Sequence, residues 1–365
     1  MLLLRKIIFY IFCLIYLVLT PLIIARMLGF VTNPQTHRLV KTGLVYVSTN
    51  PEDASVFIDG RMARGTTPTV IRDLPPGKHF IRLQLDGYKD LEMHIPIVGK
   101  KATVLDNTLL IPEQWPLKTI SQRSYQNLFA AGQGILLASN PGLGDIDIWH
   151  ADQSHEPLVP LFSRKSIYAP GQLIRLFSAD KSPFILLEAV INDKHKFLWC
   201  DLKEKQPLIE DITDLLSQAP GNIAWNSLDD KDIFAFYPHA IYHINIKTKT
   251  IEGVTPAALP EGLPVNPSTI KCQESFLINN KQDLLKRKGR WIRIYPRSDF
   301  GVPESYDIAR SRPSTNMYFE EKTGELYYLD DDTLFLNTVK ILYSRTESAR
   351  HPVLNISIPE TLRNK

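Results

Sequence analysis

Hydrophobic and polar positions follow three regimes along the chain. Residues 7–24 (IIFYIFCLIYLVLTPLII) form an apolar run with no polar stripe, and it continues through Ala25 and residues 27–31. Residues 43–112 switch to the alternation of half-buried strands, bounded by Pro, Gly and Asn-Asp turns. From residue 118 to about 355, short apolar runs recur between turns with a period of roughly forty to fifty residues. The pattern predicts an all-β protein with one N-terminal transmembrane helix, a small β-sandwich and a β-propeller-like domain.

A helix rising about 1.5 Å per residue needs about twenty apolar residues to cross the hydrocarbon, so residues 7–30 are read as a signal-anchor span. A cleaved signal carries an apolar region of only about seven to fifteen residues, and no small-x-small site follows this one. Pro21 costs one backbone bond, which membrane helices tolerate. Arg5 and Lys6 precede the span, whereas Arg26, Arg38 and Lys41 follow it, a modest contrast. The positive-inside tendency then keeps residues 1–6 as a cytoplasmic tail and sends the rest to the extracytoplasmic side of the cell membrane. The inverted orientation would leave the same modules in the cytosol.

In the alternating region, runs at 44–48, 55–59, 78–85, 91–97 and 103–110 are read as five strands of an antiparallel sandwich. Along the third, Ile81, Leu83 and Leu85 share the core face and Phe80, Arg82 and Gln84 the other. The succession Asn50-Pro51-Glu52-Asp53-Ala54, Asp59-Gly60, Gly65-Thr66-Thr67-Pro68, Leu74-Pro75-Pro76-Gly77 and Gly87-Tyr88 resembles the PEGA domain over about residues 43–112. Asp53 stands where the family's name-giving tetrapeptide has glycine; aspartate tolerates a left-handed backbone, so the turn survives. The resemblance implies a small β-sandwich of bacterial membrane and envelope proteins, and it brings no catalytic residues. Tyr88 is expected to lay its ring on the sheet with its hydroxyl at the rim.

After a linker read at Trp115-Pro116-Leu117-Lys118, the units 135–139, 145–150 and 157–161 are echoed by 184–188, 196–201 and 207–209, and by 232–236, 240–245 and 250–252. Later units at 275–278 with 290–295, and 326–329 with 333–336, are less regular. Four-stranded propeller blades give this period, and about five or six would fit. Trp149, Trp199, Tyr242 and Trp291 are expected to plug the gaps between blades, and residues 209–216 to form a short helical insertion. A pair of ordinary sandwiches is the competing fold.

Composition changes this picture little. Forty-two Lys and Arg against 39 Asp and Glu leave no large single-sign field, which argues against nucleic acid as a partner. Among the three cysteines, Cys13 lies in the span, and Cys200 and Cys272 pair only if the fold brings them together. No phosphate loop, nucleophile elbow or His-Glu-x-x-His occurs, and neither a metal nor a cofactor is expected. His239 and His243 would lie about 13 Å apart on a strand, too far to share one ion. Asp330-Asp331-Asp332 reads as a hairpin turn. The one candidate binding feature is a basic patch of Lys286, Arg287, Lys288, Arg290, Arg293 and Arg297, interleaved with aromatics and suited to anionic envelope polymer, lipid or acidic protein. With no catalytic residue assigned, the chain is expected to be a non-enzymatic binding or scaffold module for protein or glycan contacts. The alternative is a hydrolase with its site in the propeller funnel, for which Asp145, Asp147 and Asp201 would be the first carboxylates to test.

Overall fold

The computed structural model describes residues 2–27, 30–32, 39–131, 134–139, 142–150, 158–162, 166–178, 183–203, 207–216, 219–225, 232–255, 275–279, 283–296, 305–313 and 315–343. Helix α1 (Leu2–Met27) leaves large apolar side chains exposed from Ile7 to Leu19 and again at Ile23, Ile24 and Met27. Strands β1 (Phe30–Thr32) and β2 (Leu39–Lys41) pair antiparallel directly after it.

The sandwich follows with β3 (Gly43–Asn50), β4 (Ser55–Ile58), β5 (Arg61–Thr66), β6 (Thr69–Leu74), β7 (Gly77–Gln84), β8 (Leu91–Ile97) and β9 (Ala102–Leu109). One sheet has the order β6-β3-β9 and the other β5-β4-β7-β8. Strict alternation builds the core between them: Leu91, Met93, Ile95 and Ile97 are buried while Glu92, His94 and Pro96 are exposed. Asp53 has φ 70°, the left-handed backbone expected of it. Two features differ from the sequence reading. Strands β5 and β6 occupy a stretch for which the sequence predicts no strand, and β9 runs parallel to β3. The chain crosses between sheets at residues 98–101, so β9 enters beside the start of β3 and must follow its direction. Gly99 permits that crossing, since a Cβ there would lie 2.6 Å from the Lys41 carbonyl oxygen.

Among the described residues, five four-stranded sheets follow. Strand β10 (Leu117–Ser121) comes first in sequence but pairs in the last sheet. Blade 1 holds β11 (Asn127–Ala131), β12 (Gly134–Ala138), β13 (Ile146–His150) and β14 (Val159–Pro160). Blade 2 holds β15 (Gln172–Ser178), β16 (Phe184–Ile191), β17 (Lys194–Asp201) and β18 (Leu208–Asp211). Blade 3 holds β19 (Asn222–Trp225), β20 (Asp232–Phe236), β21 (Ile241–Asn245) and β22 (Thr250–Val254). Blade 4 holds β23 (Ser275–Ile278), β24 (Asp283–Lys288), β25 (Trp291–Tyr295) and β26 (Tyr306–Arg310). Blade 5 is β27 (Tyr318–Glu320), β28 (Glu325–Leu329) and β29 (Leu336–Lys340), completed by β10 beside β29. First and last strands of the module therefore share one sheet, the device by which a propeller joins its ends.

Blades 1, 2 and 5 bury both faces by stacking. Among the described residues, shared apolar clusters join blades 1 and 2 (Leu136, Ile148, Leu187, Leu198), 2 and 3 (Leu186, Trp199, Ile233, Ile244), 4 and 5 (Leu285, Ile294, Leu326, Val339), and 5 and 1 (Tyr327, Leu329, Leu137, Trp149). Trp149 and Trp199 fill gaps as expected, whereas Tyr242 and Trp291 are 37% and 41% exposed. Trp291 points away from the shared cluster, which takes Ile292 instead, whereas Tyr242 shares the face of Ile244 but only Ile244 is buried in the cluster. The helix read at 209–216 is instead the edge strand β18 followed by a single 3-10 turn (Thr213–Leu215). Its apolar spacing serves to bury Ile212 and Leu216 between blades 2 and 3. The linker reading also ends early, because Leu117 and Lys118 already belong to β10.

Sandwich and propeller-like module interlock. At the end of β9 the side chains part: Leu110 joins the sandwich core, and Leu109 and Ile111 enter the cluster of blades 4 and 5. Asn50 donates from Nδ2 to the Tyr343 carbonyl at 2.9 Å and accepts the Tyr343 N–H at Oδ1, also 2.9 Å. Asn107 donates to Asn279 Oδ1, and Asn279 Nδ2 donates in turn to the Asn107 carbonyl at 2.6 Å. Tyr88 packs on the sandwich core, and its hydroxyl reaches past the rim to bond Tyr343; burial and that bond push the phenol well above its usual range. Asn50→Ala is expected to cost about 1–2 kcal/mol, because it strips both hydrogen bonds from Tyr343. Hydrogen exchange at the Tyr343 amide reads the change, and an unaltered rate would refute the coupling.

Candidate functional site

The basic patch is divided by the fold. On β24, Lys286 and Lys288 are exposed, but Arg287 alternates to the opposite face and is 3% exposed. There it donates from Nη1 to the Arg312 carbonyl at 3.1 Å and to the Thr315 carbonyl, tying blade 4 to the connection into blade 5. Arg293 is spent on Asp307, with Nε to Oδ1 at 2.6 Å, and Arg290 pairs with Asp331 at 3.4 Å. Arg297 lies outside the described residues. Lys286, Lys288 and Arg293 thus share one face, while Arg287 acts as a strut.

Other residues singled out by sequence are likewise held apart. His243 stacks on Phe234 and lies 3.3 Å from Asp232, whereas His239 is exposed in the turn before it. Among the described residues no three His, Cys, Asp or Glu side chains gather as metal ligands. Cys200 is buried between blades 1 and 2, where desolvation pushes its thiol far up; Cys272 lies outside the described residues. Asp145 and Asp147 both face the Arg123 guanidinium, at 3.2 and 2.8 Å, and the Tyr125 hydroxyl donates to Asp147 at 3.0 Å. Burial, with that carboxylate close by, pushes the Tyr125 phenol up to about 12. Asp201 accepts the Lys203 N–H at 2.9 Å as an ordinary turn cap.

The arrangement that does converge is a cleft of about 590 Å³ lined by Gln126, Asn127, Arg290, Arg312, Pro313, Thr315, Asp331, Asp332 and Leu334. Antiparallel blades send their second-to-third-strand turns and their blade-to-blade connections out on the same side. Arg290 lies on such a turn in blade 4 and Asp331, Asp332 and Leu334 in blade 5. Gln126, Arg312 and Thr315 lie on connections. The Asp330 carboxylate accepts the Asp332 and Thr333 N–H groups at 3.1 and 2.9 Å, which makes the aspartate triplet the hairpin turn its sequence suggests and aims its neighbours into the cleft. Asp331, with its side chain 6% exposed, is clamped by Arg290 and by Arg310 at 3.1 Å; Arg310 also reaches Asp332 at 3.3 Å and lies 6.0 Å over the Trp291 ring. Arg312 has no carboxylate partner among the described residues. Donors and acceptors alternate around this wall, so it suits a polar, hydrogen-bonding ligand surface better than a single ion.

Only Arg290 of this cleft belongs to the basic patch read from sequence. Arg310 and Arg312 carry no local motif, and their meeting with Asp331 depends on blade order. The aspartate triplet was the one signal pointing here, and its reading as a turn was right but incomplete.

Comparison with solved structures finds alignments to the β-propeller domain of Cps50 (Swd1) from Myceliophteria thermophila (9% identity, 72% of this chain and 92% of that one, TM-score 0.28). It also finds apo AztD from Citrobacter koseri (12%, 67% and 75%, 0.26) and YCF48 from Cyanidioschyzon merolae (13%, 59% and 70%, 0.26). Those scores are too low to carry an argument, and the propeller-like reading rests on the strand pairing above. No curated protein matches the chain. A family model does: residues 42–111, the span of the seven-stranded sandwich, match the PEGA domain, and the chain is similar to that family there.

Proposed function

We propose that this is a single-pass membrane protein in which the PEGA-like sandwich holds a propeller-like platform close to the bilayer, for non-enzymatic contacts with envelope proteins or glycans. The observation that carries the reading is the interlock. Side chains of Asn50, Asn107, Leu109 and Ile111 fix the platform to a sandwich that follows an exposed apolar helix, Ile7–Met27, with the β1–β2 pair between them. A rigid mount of this kind suits presentation of a surface. The cleft supplies a polar face for it, and the carboxylates Asp145 and Asp147 are both paired with Arg123. The helix serves as an uncleaved anchor in this reading, with the N-terminus cytoplasmic and the bulk of the chain outside.

The test is crosslinking in native membranes, comparing the wild type with a cleft variant, Arg312→Gln with Asp332→Asn. Both side chains line the open cleft, so the change is expected to leave folding intact while removing a discrete crosslinked partner. Retention of the same partner by the variant would overturn the assignment of the cleft, and a protease-inaccessible bulk in intact cells would overturn the topology.

A further inference from the structure

We infer that the anchor-side end of the sandwich is a surface for anionic lipid headgroups; this rests on the reading of α1 as a membrane span. Strand β1 starts three residues after α1 ends, and its first residue, Phe30, is the register partner of Lys41, whose Nζ lies 5.1 Å over the Phe30 ring. Three residues reach at most about 10 Å. Lys41 and the start of β3 are therefore held about as far from the helix end as the headgroup layer is thick, which is roughly 5–8 Å on each side of the hydrocarbon.

The topology gathers three more lysines at that end. Because β9 runs parallel to β3, the turn that precedes it sits beside residue 42 and is pinned there: the Lys100 N–H donates to the Thr42 carbonyl at 2.9 Å and the Leu44 N–H to the Lys101 carbonyl at 3.2 Å. Strand β7 begins at the same end, with Gly77 opposite Ile97 and Lys78 opposite Pro96. Lys41, Lys78, Lys100 and Lys101 are all exposed, and so is the apolar Val98 in the same turn. Among the described residues no carboxylate lies within ion-pair distance of these four lysines. The carboxylates nearby are Asp73, which is exposed, and Asp59, which is already bonded to the His79 ring at 2.6 Å and to the Phe80 N–H at 3.0 Å.

Unpaired ammonium groups around an exposed valine form a surface that gains most against a layer of phosphates over hydrocarbon. The opposite end of β3 carries Asn50, so the two ends of one eight-residue strand, roughly 26 Å long, face lipid and propeller respectively. In this arrangement the sandwich is a spacer with a fixed tilt and height.

The test uses the full chain in nanodiscs of zwitterionic lipid and in nanodiscs containing anionic lipid, with amide hydrogen exchange read at residues 76–79 and 98–101. Exchange is expected to slow by roughly tenfold in the anionic discs. The protection should vanish in Lys41→Gln/Lys78→Gln/Lys100→Gln/Lys101→Gln and persist when the same four become arginine. Equal rates in both discs, or lipid-dependent protection surviving in the glutamine variant, overturn the inference while leaving the anchor in place. Protection reproduced by soluble polyphosphate in zwitterionic discs assigns the surface to a free polyanion and also overturns it. Failure of the chain to stay with either disc removes the anchor reading and this inference together.

Discussion

With α1 as the proposed anchor, the double replacement Leu14→Arg with Val18→Arg is expected to abolish stable membrane residence. Thirteen Leu, Ile, Phe and Val residues lie between 7 and 24. At about 0.3–0.6 kcal/mol each near the centre of a span they favour insertion by roughly 4–8 kcal/mol. Each central arginine opposes it by about 2.5–3.5 kcal/mol and also removes one favourable side chain. Two such changes, four residues apart on one helix face, cancel the whole driving force from a depth where snorkelling helps least. Carbonate extraction followed by flotation measures the outcome. A variant that floats as the wild type does would show that α1 is not what holds the protein at the membrane.

Arg175→Ala should bring the largest single-residue loss of stability in the propeller-like module, about 3–5 kcal/mol. Glu188 is buried in the middle of blade 2, and Arg175 lies opposite it in the ladder with Nε 2.5 Å from Oε2. The same guanidinium donates to the Pro220 and Gly221 carbonyls on the connection into blade 3, at 2.8 and 3.1 Å, and covers the Phe177 ring at 5.2 Å. Removing it leaves an anion in the stack with, among the described residues, only His195 as a basic neighbour, at 3.7 Å, and strips two carbonyls of their donor. Since the Arg175 side chain is one-third exposed, water can partly replace it and the lower end of the range applies. Arg175→Met with Glu188→Leu removes charge and partner together and is expected to recover most of the loss. Denaturant midpoints followed by tryptophan fluorescence report both, and a single-mutant cost below about 1 kcal/mol would contradict the burial argument.

Particular elements show how far the sequence could be read. The sandwich strands were legible because alternation over seven or eight residues, as in 78–84 and 91–97, admits only one buried face. Strands β5 and β6 were not, since Arg61, Arg64, Gly65 and Thr66 break the alternation on an exposed edge. In blades 1 and 3 the first strand went unread for a similar reason. Asn127–Ala131 and Asn222–Trp225 are short and packed on both faces, so they carry no period-two signal. Blade 4 was half-seen: Lys286, Arg287 and Lys288 read as charge, yet their strand pairs residue by residue with Trp291 to Arg293. Arg287 shows why a basic run cannot be taken as a surface, because alternate residues of one strand face different worlds.

By itself the sequence determined the three regimes and their order: an unbroken apolar run, a sandwich whose alternation fixes its core, and a repeat of blade length. These depend on local periodicity, which covalent order carries. Only the tertiary structure decided that β10 completes the fifth blade, that β9 runs parallel to β3, and which charges meet. Arg290, Arg310 and Asp331 at one cleft, and Lys41, Lys78, Lys100 and Lys101 at one end of the sandwich, are brought together by strand order across long sequence separations. Such groupings leave no local trace, because pairing energies between distant strands depend on the closed set of neighbours and not on any one segment.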